Sequence, residues 1–595
     1  TAFVLKNGKD INKATYYRFV DYKNVSEKEE HFLKRDNEFL NIPQVNFSKI
    51  PGSPIAYWIS EEMVRVFKSK NISFYSTLFQ GIITGNNGFF VREWFEIDNK
   101  DSQKELIDIS DFDPKNGKWV PYNKGGNTRK WYGNQEKLVN FKKKGRNFTR
   151  GKHQFSNFFF KPCFSWSYIS SGDIDTRHFE KGFIWDVHGS SAFPNESDDI
   201  FYFQSIIGSR VGSTILKILN PTISFQVENI AAVPVIYPNH ILKEEVISIT
   251  KTLIHTSKKD WNNRETSWYF SQSPLLSETN ALEQAVKHWQ AKVTQDFFQL
   301  HANEEQLNRI FIDIYGLQEE LTPEVALKDI TILQEELNKN DLEALEETFR
   351  ANGGNPIELP IDKGEVISQF ISYAIGLFMG RYRLDQPGLN IAHPNPTAEE
   401  LASYTYNNGK VIIDEDAILP LMGKNCNFPD DVLQQFQQVL DTIWGHETRT
   451  ENINFIQDCL DKDLEKFLVK DFYKYHCKMY KKKPIYWLFA SPKGAFQVLV
   501  YMHRMNAFTV EKIRANYLLE HIKNIRTEIM VLEGNASNLN TQEAKRLDTL
   551  RDDRKECEAY DMELKNVADQ QISFDLDDGV KENYKLFESV VAKIK

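Results

Sequence analysis

Apolar residues follow two regimes along this chain. Up to about residue 240 they come as short alternating runs broken by Gly, Asn and Ser, with Phe and Tyr prominent. "GFIWDVHGSSAF" and "ISFQVENIAAVPVIY" predict strands bounded by turns. Between them, "SDDIFYFQSIIGSRVGSTILKIL" has helical spacing and opens behind an aspartate cap. "QGIITGNNGFFVREWFE", Gln80 to Glu96, predicts two strands joined by a Thr84-Gly85-Asn86-Asn87-Gly88 turn, with Arg92 on the second. This half is mixed α and β.

From about residue 241 Gly thins out, and Leu, Glu, Lys and Gln rise. "ALEQAVKHWQAKVTQDFFQLHANEEQLNRIFIDIYGL" predicts a long helix ended by Gly316. Pro323, the Gly353-Gly354-Asn355-Pro356 cluster and Pro387-Gly388 punctuate the next helices. Leu518, Ile522, Ile525, Ile529 and Leu532 then make a heptad seam. Gly534 to Asn538 breaks it, and a second helix from about Thr541 carries Leu547, Leu550, Cys557, Leu564 and Val567. The pattern fits an antiparallel helical hairpin, or two helices lying on a domain core. The fold class expected is α+β.

The 595 residues suffice for three or four domains. Five scattered cysteines, without a C-x-x-C pair, read as reduced thiols in a cytoplasmic protein. No apolar run reaches membrane-spanning length, and no signal peptide is evident. "TAFVLKN", at the start, reads as the middle of a strand, as if the chain began inside a longer polypeptide. The net charge of −10 conceals a split. Lys115 to Lys181 holds 15 Lys and Arg against 4 Asp and Glu, an excess of 11, which leaves −21 on the remainder. A basic face on an acidic body is an electrostatic footprint of polyanion binding.

Several chemistries find no motif. There is no N/D-P-P-Y/F turn and no glycine-rich cofactor loop; "LNPTISF" lacks the second proline and reads as a turn. Neither a Walker A loop nor a G-x-S-x-G elbow occurs. "FPDD", Phe428 to Asp431, sits at a helix start, where Asp caps free amides. Asp186-Val187-His188 is one acid and one imidazole, short of a metal site, and reads as a hydrogen-bonded strand histidine. No catalytic or metal-binding residue is assigned.

One stretch does carry chemistry. In "KWVPYNKGGNTRKWYGNQEKLVNFKKKGRNFTRGKH", the cations Lys124, Arg129, Lys130, Lys142, Lys143, Lys144, Arg146, Arg150 and Lys152 alternate with Trp119, Tyr122, Trp131, Tyr132 and Phe141. Lys and Arg neutralise phosphates, and Arg, Asn and Gln read base edges. Trp119, Trp131 and Tyr132 fit better as half-buried supports than as stacking groups. A solvated basic loop is the alternative.

Further motifs fall in one order: "IPGSPIAYWISEEM", the TGNN loop, "KWVPYNKGGNTRKWYGN", "FSWSYISSG", "GFIWDVHGSSAFP", "NPTISFQVENIAAVPV", "DWNNRETSWYF", "LNRIFIDIYGLQEELTPEV", "RYRLDQPGL", "KKPIYWLFASPKGAFQVLVYMHR" and "FDLDDGVKENYKLFESVVAKIK". Together they resemble the C-terminal part of the PglX family, the adenine-specific DNA methyltransferases of type 1 BREX phage-defence systems. They are also similar to the specificity regions of type IIG restriction-modification enzymes. Asn86 stands where the family loop usually has Asp, and Tyr168 where Lys is common.

The resemblance implies a target recognition domain over residues 1–240, a helical spacer over 241–325, a helical C-terminal domain over 326–505, and a helical hairpin with its tail over 506–595. It implies double-stranded DNA, other BREX components and an N-terminal methyltransferase domain as partners, with S-adenosyl-L-methionine held in that domain. The nine cations above would then hold phosphates, and Arg92, Asn127, Thr128 and Gln135 would be base readers. A type IIG specificity region and an interaction scaffold without DNA contact remain as alternatives. On this reading, replacing Arg129 and Lys130 by Ala is expected to weaken duplex binding and flatten its salt dependence.

Overall fold

A computed structural model describes residues 13–594, apart from 21, 170–172, 221, 424–427, 536 and 538. "TAFVLKN" thus lies outside the described residues. The N-terminal half is built on two four-stranded sheets. One orders Ser76–Phe79, Ser191–Pro194, Cys163–Trp166 and Thr176–Phe179, all antiparallel. The other orders Val91–Glu93, Lys137–Asn140, Trp119–Asn123 and Ile184–Trp185, the last joining in parallel.

These strands are buried on both faces, because successive side chains point to opposite sides of a sheet. Phe79, Tyr122, Val139, Cys163, Phe179, Trp185 and Phe193 feed an aromatic core within this half. Their neighbours Trp119, Leu138, Phe164, Trp166 and Ala192 feed a second core shared with the helices. That second core runs without a break from Ile50 to Val590.

Three local expectations are corrected here. The TGNNG stretch does not make a hairpin: Ser76–Phe79 and Val91–Glu93 lie in different sheets, and the turn crosses between them with a short helix at Asn87–Phe90. "ISFQVENIAAVPVIY" is not a strand. Gln226 and Asn229 form a reciprocal cap that starts a helical turn at Val227–Ala231. The Asp198 side chain makes no capping bond, and the expected single helix is two, Asp199–Gly208 and Arg210–Leu219, restarted by Ser209.

Beyond residue 240 long helices dominate. His240–Asn262 packs on Leu282–Tyr315, whose C-cap is Gly316 at φ 68, a left-handed conformation that suits Gly. Asp431 caps Val432–Trp444 through a 2.9 Å bond from the Leu433 amide. The 326–505 span also holds a three-stranded antiparallel sheet, Ile418–Pro420, Gln497–Tyr501 and Tyr486–Ala490, where only helices were expected. Its strands are buried on both faces, so they lack the alternation that marks a half-exposed strand.

Leu519–Gly534 and Thr541–Ala568 form the hairpin, with Ile522, Ile525 and Ile529 facing Leu547, Leu550 and Cys557. Arg526–Glu558 and Arg551–Glu533 pairs flank the seam. The hairpin also lies on the core, since the Tyr560 hydroxyl donates to the Val590 carbonyl at 2.6 Å. No helix among the described residues is long and apolar enough to cross a membrane.

Buried imidazoles tie strands to their surroundings. His178 stacks on Phe201 at 5.3 Å, and burial pushes its pKa down to about 4. His503 lies 3.2 Å from the Ile97 carbonyl; burial, then Arg381, push its pKa down to about 3. The unfolded chain takes a proton on each near pH 6.5 and the native state does not, so stability falls as pH drops from about 6.5 towards 4. We expect of order 2 kcal/mol lost per histidine at pH 5 relative to pH 7. Urea midpoints at the two pH values should show this drop, and it should shrink in His178→Phe; an undiminished drop would refute the assignment.

Candidate nucleic-acid interface

The strand Lys137–Asn140 runs into a loop that sorts its side chains by polarity. Phe141 and Phe148 turn inward, against Phe112 at 5.1 Å and Phe90 at 5.2 Å respectively. Lys144 and Gly145 take left-handed conformations, at φ 51 and 75, and so reverse the chain between the two rings. The loop is then stitched to the TGNNG segment: Ile83 and Arg150 exchange backbone bonds of 2.9 and 3.0 Å. Gly85 permits the close approach, since a Cβ there would meet the Thr149 hydroxyl at 2.0 Å.

With the apolar groups turned in, the cations point out. Lys142, Lys143, Arg146 and Arg150 are exposed, and Lys144 and Lys152 are partly so. Among the described residues none of the six has a carboxylate partner. The Lys144 ammonium donates to the Ile109 carbonyl at 3.4 Å, and the Lys152 ammonium sits 5.6 Å from the Phe155 ring. Partial burial, and then Arg150, pull the Lys152 pKa below the usual lysine range. Six cations close in sequence and without counter-charges leave a locally positive surface.

The remaining predicted residues do other work. Lys124 pairs with Asp186 at 2.9 Å, beside the Tyr122 hydroxyl. Asp186 also holds His188, at 3.0 Å, but in a short helical turn rather than on a strand. Arg129 is 4 % exposed; its guanidinium bonds Asp260 at 3.2 Å and lies over the Trp261 ring. Burial, and then neighbouring Arg264, lower its pKa. Lys130 pairs at 2.7 Å with Glu304, which also accepts from the Trp131 indole at 2.8 Å.

Arg92 is buried, with bonds to the Gly88 and Val91 carbonyls and, at 2.8 Å, to the carbonyl of Asp577. Gln135 is buried and donates to the His178 carbonyl at 3.1 Å. Arg92, Lys124, Arg129, Lys130 and Gln135, expected to face DNA, are in this structure engaged by partners from other segments of the fold. Asn127 and Thr128 are exposed, but lie on the tether to the helices, where Gln334 donates to the Thr128 carbonyl. Trp119, Trp131 and Tyr132 are fully buried rather than half-buried.

Sequence reasoning missed a buried ionic network. Asp260 sits between Arg129 and Arg264, and Arg264 reaches Glu336 at 3.0 Å. Arg177, fully buried, bonds Asp175 at 2.9 Å and the Arg129 carbonyl. Two of its pairs carry a local signal, Asp175–Arg177, an acid and a base two apart, and Asp260–Arg264, an acid and a base four apart; the Arg129 and Glu336 contacts do not.

Two adenine-specific methyltransferases match this chain. PglX of Lacticaseibacillus casei (strain Zhang) is 33% identical across 98% of the chain. BrxX of Escherichia coli O9:H4 (strain HS) is 33% identical across 100%. The resemblance to PglX is shown along the whole chain. The chain spans about half the length of these curated relatives, 49% of each, which is consistent with a C-terminal part of PglX or BrxX. No family model matches it. The similarity to PglX and BrxX thus extends over 98–100% of the chain.

Arg129→Ala would leave Asp260 facing Arg264 alone. Because Asp260 keeps Arg264, the loss is that of the charge-assisted hydrogen bond and of packing, about 1.5–3 kcal/mol. Denaturant titration checks that loss. The salt slope of duplex binding should stay at the wild-type value, the reverse of what the sequence alone suggests for this residue.

Proposed function

We propose that this chain is the sequence-specific DNA recognition portion of an N6-adenine DNA methyltransferase of the BREX type. The observation that carries the reading is the group of six cations, Lys142, Lys143, Lys144, Arg146, Arg150 and Lys152, none of which has a carboxylate partner among the described residues, on the loop stitched to the TGNNG segment. Phosphate contacts of this kind set register and orientation, and base contacts supply the sequence preference. The names of the relatives support a methyltransferase context. In this reading double-stranded DNA is the partner of the cation loop.

The chain's residues hold and orient the duplex, and no methyl-transfer step is derived for them. The N/D-P-P-Y/F turn and the glycine-rich loop are not in this sequence. The methyltransferase domain and its S-adenosyl-L-methionine belong, in this reading, to the half of PglX and BrxX that the chain does not match. The helical hairpin lies on the C-terminal core, and its exposed, charged faces are available to other components of the defence system.

Replacing Lys142, Lys143, Arg146 and Arg150 together by Ala should weaken duplex binding uniformly across sequences. If all four touch phosphates, the slope of log K against log salt becomes shallower by about three to four. Fluorescence anisotropy on a mixed-sequence duplex at several salt concentrations reads both effects. An unchanged slope would favour the scaffold reading, in which the acidic remainder of the chain meets protein partners.

A further inference from the structure

Phe89 stands exposed on the turn that is stitched to the cation loop. It is 60% exposed, while its neighbour Phe90 takes the place in the core. Its ring meets Phe90 edge-on, at 4.9 Å and 88°, and Phe90 in turn packs on Phe148 of the cation loop. A single exposed ring needs no explanation in general.

The turn that carries it is closed on three sides. The Asn86 side-chain oxygen accepts from the Phe89 amide at 3.1 Å, and the Thr84 hydroxyl donates to the Asn87 side-chain oxygen at 2.8 Å. The Thr149 amide donates to the Thr84 carbonyl, joining the turn to the basic loop. Beneath it the buried Arg92 guanidinium donates to the Gly88 carbonyl at 2.6 Å, and is itself held by the Asp577 carbonyl. Both asparagine oxygens are used inside the turn, and no bond among the described residues engages their amide nitrogens. The tip therefore offers an aromatic ring and N–H donors.

We propose that Phe89 is a wedge that stacks into a base step of the bound duplex, with the surrounding cations on the flanking phosphates. Unstacking a step costs a few kcal/mol, and inserted apolar side chains repay it through contact and bending. A ring on a floppy loop would lose part of that contact energy to its own ordering; a ring on a preorganised turn does not. Asn86 and Asn87, as donors only, suit the acceptor atoms that bases present in either groove. The inference rests on the DNA-binding reading above.

The test uses the full chain and three duplexes of one mixed sequence: perfectly paired, with a central mismatch, and with a single-base bulge. A wedge gains where stacking is already weakened. Wild type should bind the mismatched and bulged duplexes about five- to tenfold more tightly than the paired one. Phe89→Ala should lose that preference and keep the wild-type salt slope, since no charge changes. Phe89→Trp should retain it, and its added indole emission should be quenched on binding. Equal preference in wild type and Phe89→Ala, with normal salt-dependent binding, overturns the wedge and leaves the DNA reading intact. Absence of salt-dependent binding to any duplex overturns both.

Discussion

Carboxylates on the long helices hold the segment 129–131, between two strands of the N-terminal half, in place. Asp260, on the helix His240–Asn262, meets Arg129; Glu304, on Leu282–Tyr315, meets both Lys130 and the Trp131 indole. Taking such charges out of water costs several kcal/mol per ion, so each tolerates burial only where its partner stands. The segment 129–131 and the two helices thus fix one another's position. Glu304 is matched by one cation and one neutral N–H donor, so its two oxygens are served without placing two positive charges together.

This constraint divides the basic stretch in two. The first group of cations, from Lys124 to Lys130, lies within reach of carboxylates and becomes structural. The second group, from Lys142 to Lys152, lies beyond them, on a loop whose phenylalanines fill the aromatic core. What separates a structural cation from an available one is the distance to the nearest acid, since the side chains are the same. The unsatisfied second group is the basis for reading this face as a phosphate-binding surface.

The end of the chain takes part in the same assembly. Asp577 accepts from the Trp119 indole at 2.7 Å and pairs with Lys118, and its carbonyl holds Arg92. Gly579 sits against that guanidinium, at φ 79, where a Cβ would come within 2.7 Å of the Arg92 Nε. The buried Arg92 also supports the turn that carries Phe89. The tail, the central strands and the exposed turn therefore form one continuous chain of contacts, built from residues more than 480 positions apart.

Much of this was legible from residues alone. Helical period, Gly316 as a stop, the Asp431 cap, the heptad seam and the charge excess between Lys115 and Lys181 are all local signals, because propensity, capping and composition act over a few residues. The order of motifs carried the likeness to PglX, which the whole chain bears out. The sheet around Gln497–Tyr501 was hidden because strands buried on both faces show no alternation. The fate of individual cations was hidden as well: Arg92, Arg129 and Lys130 find partners 485, 131 and 174 residues away respectively, and no local pattern encodes such a meeting. Composition places abundant positive charge in this stretch. Which of those cations stay available is set by the packed fold, because Coulomb pairing depends on distance in space and not along the chain.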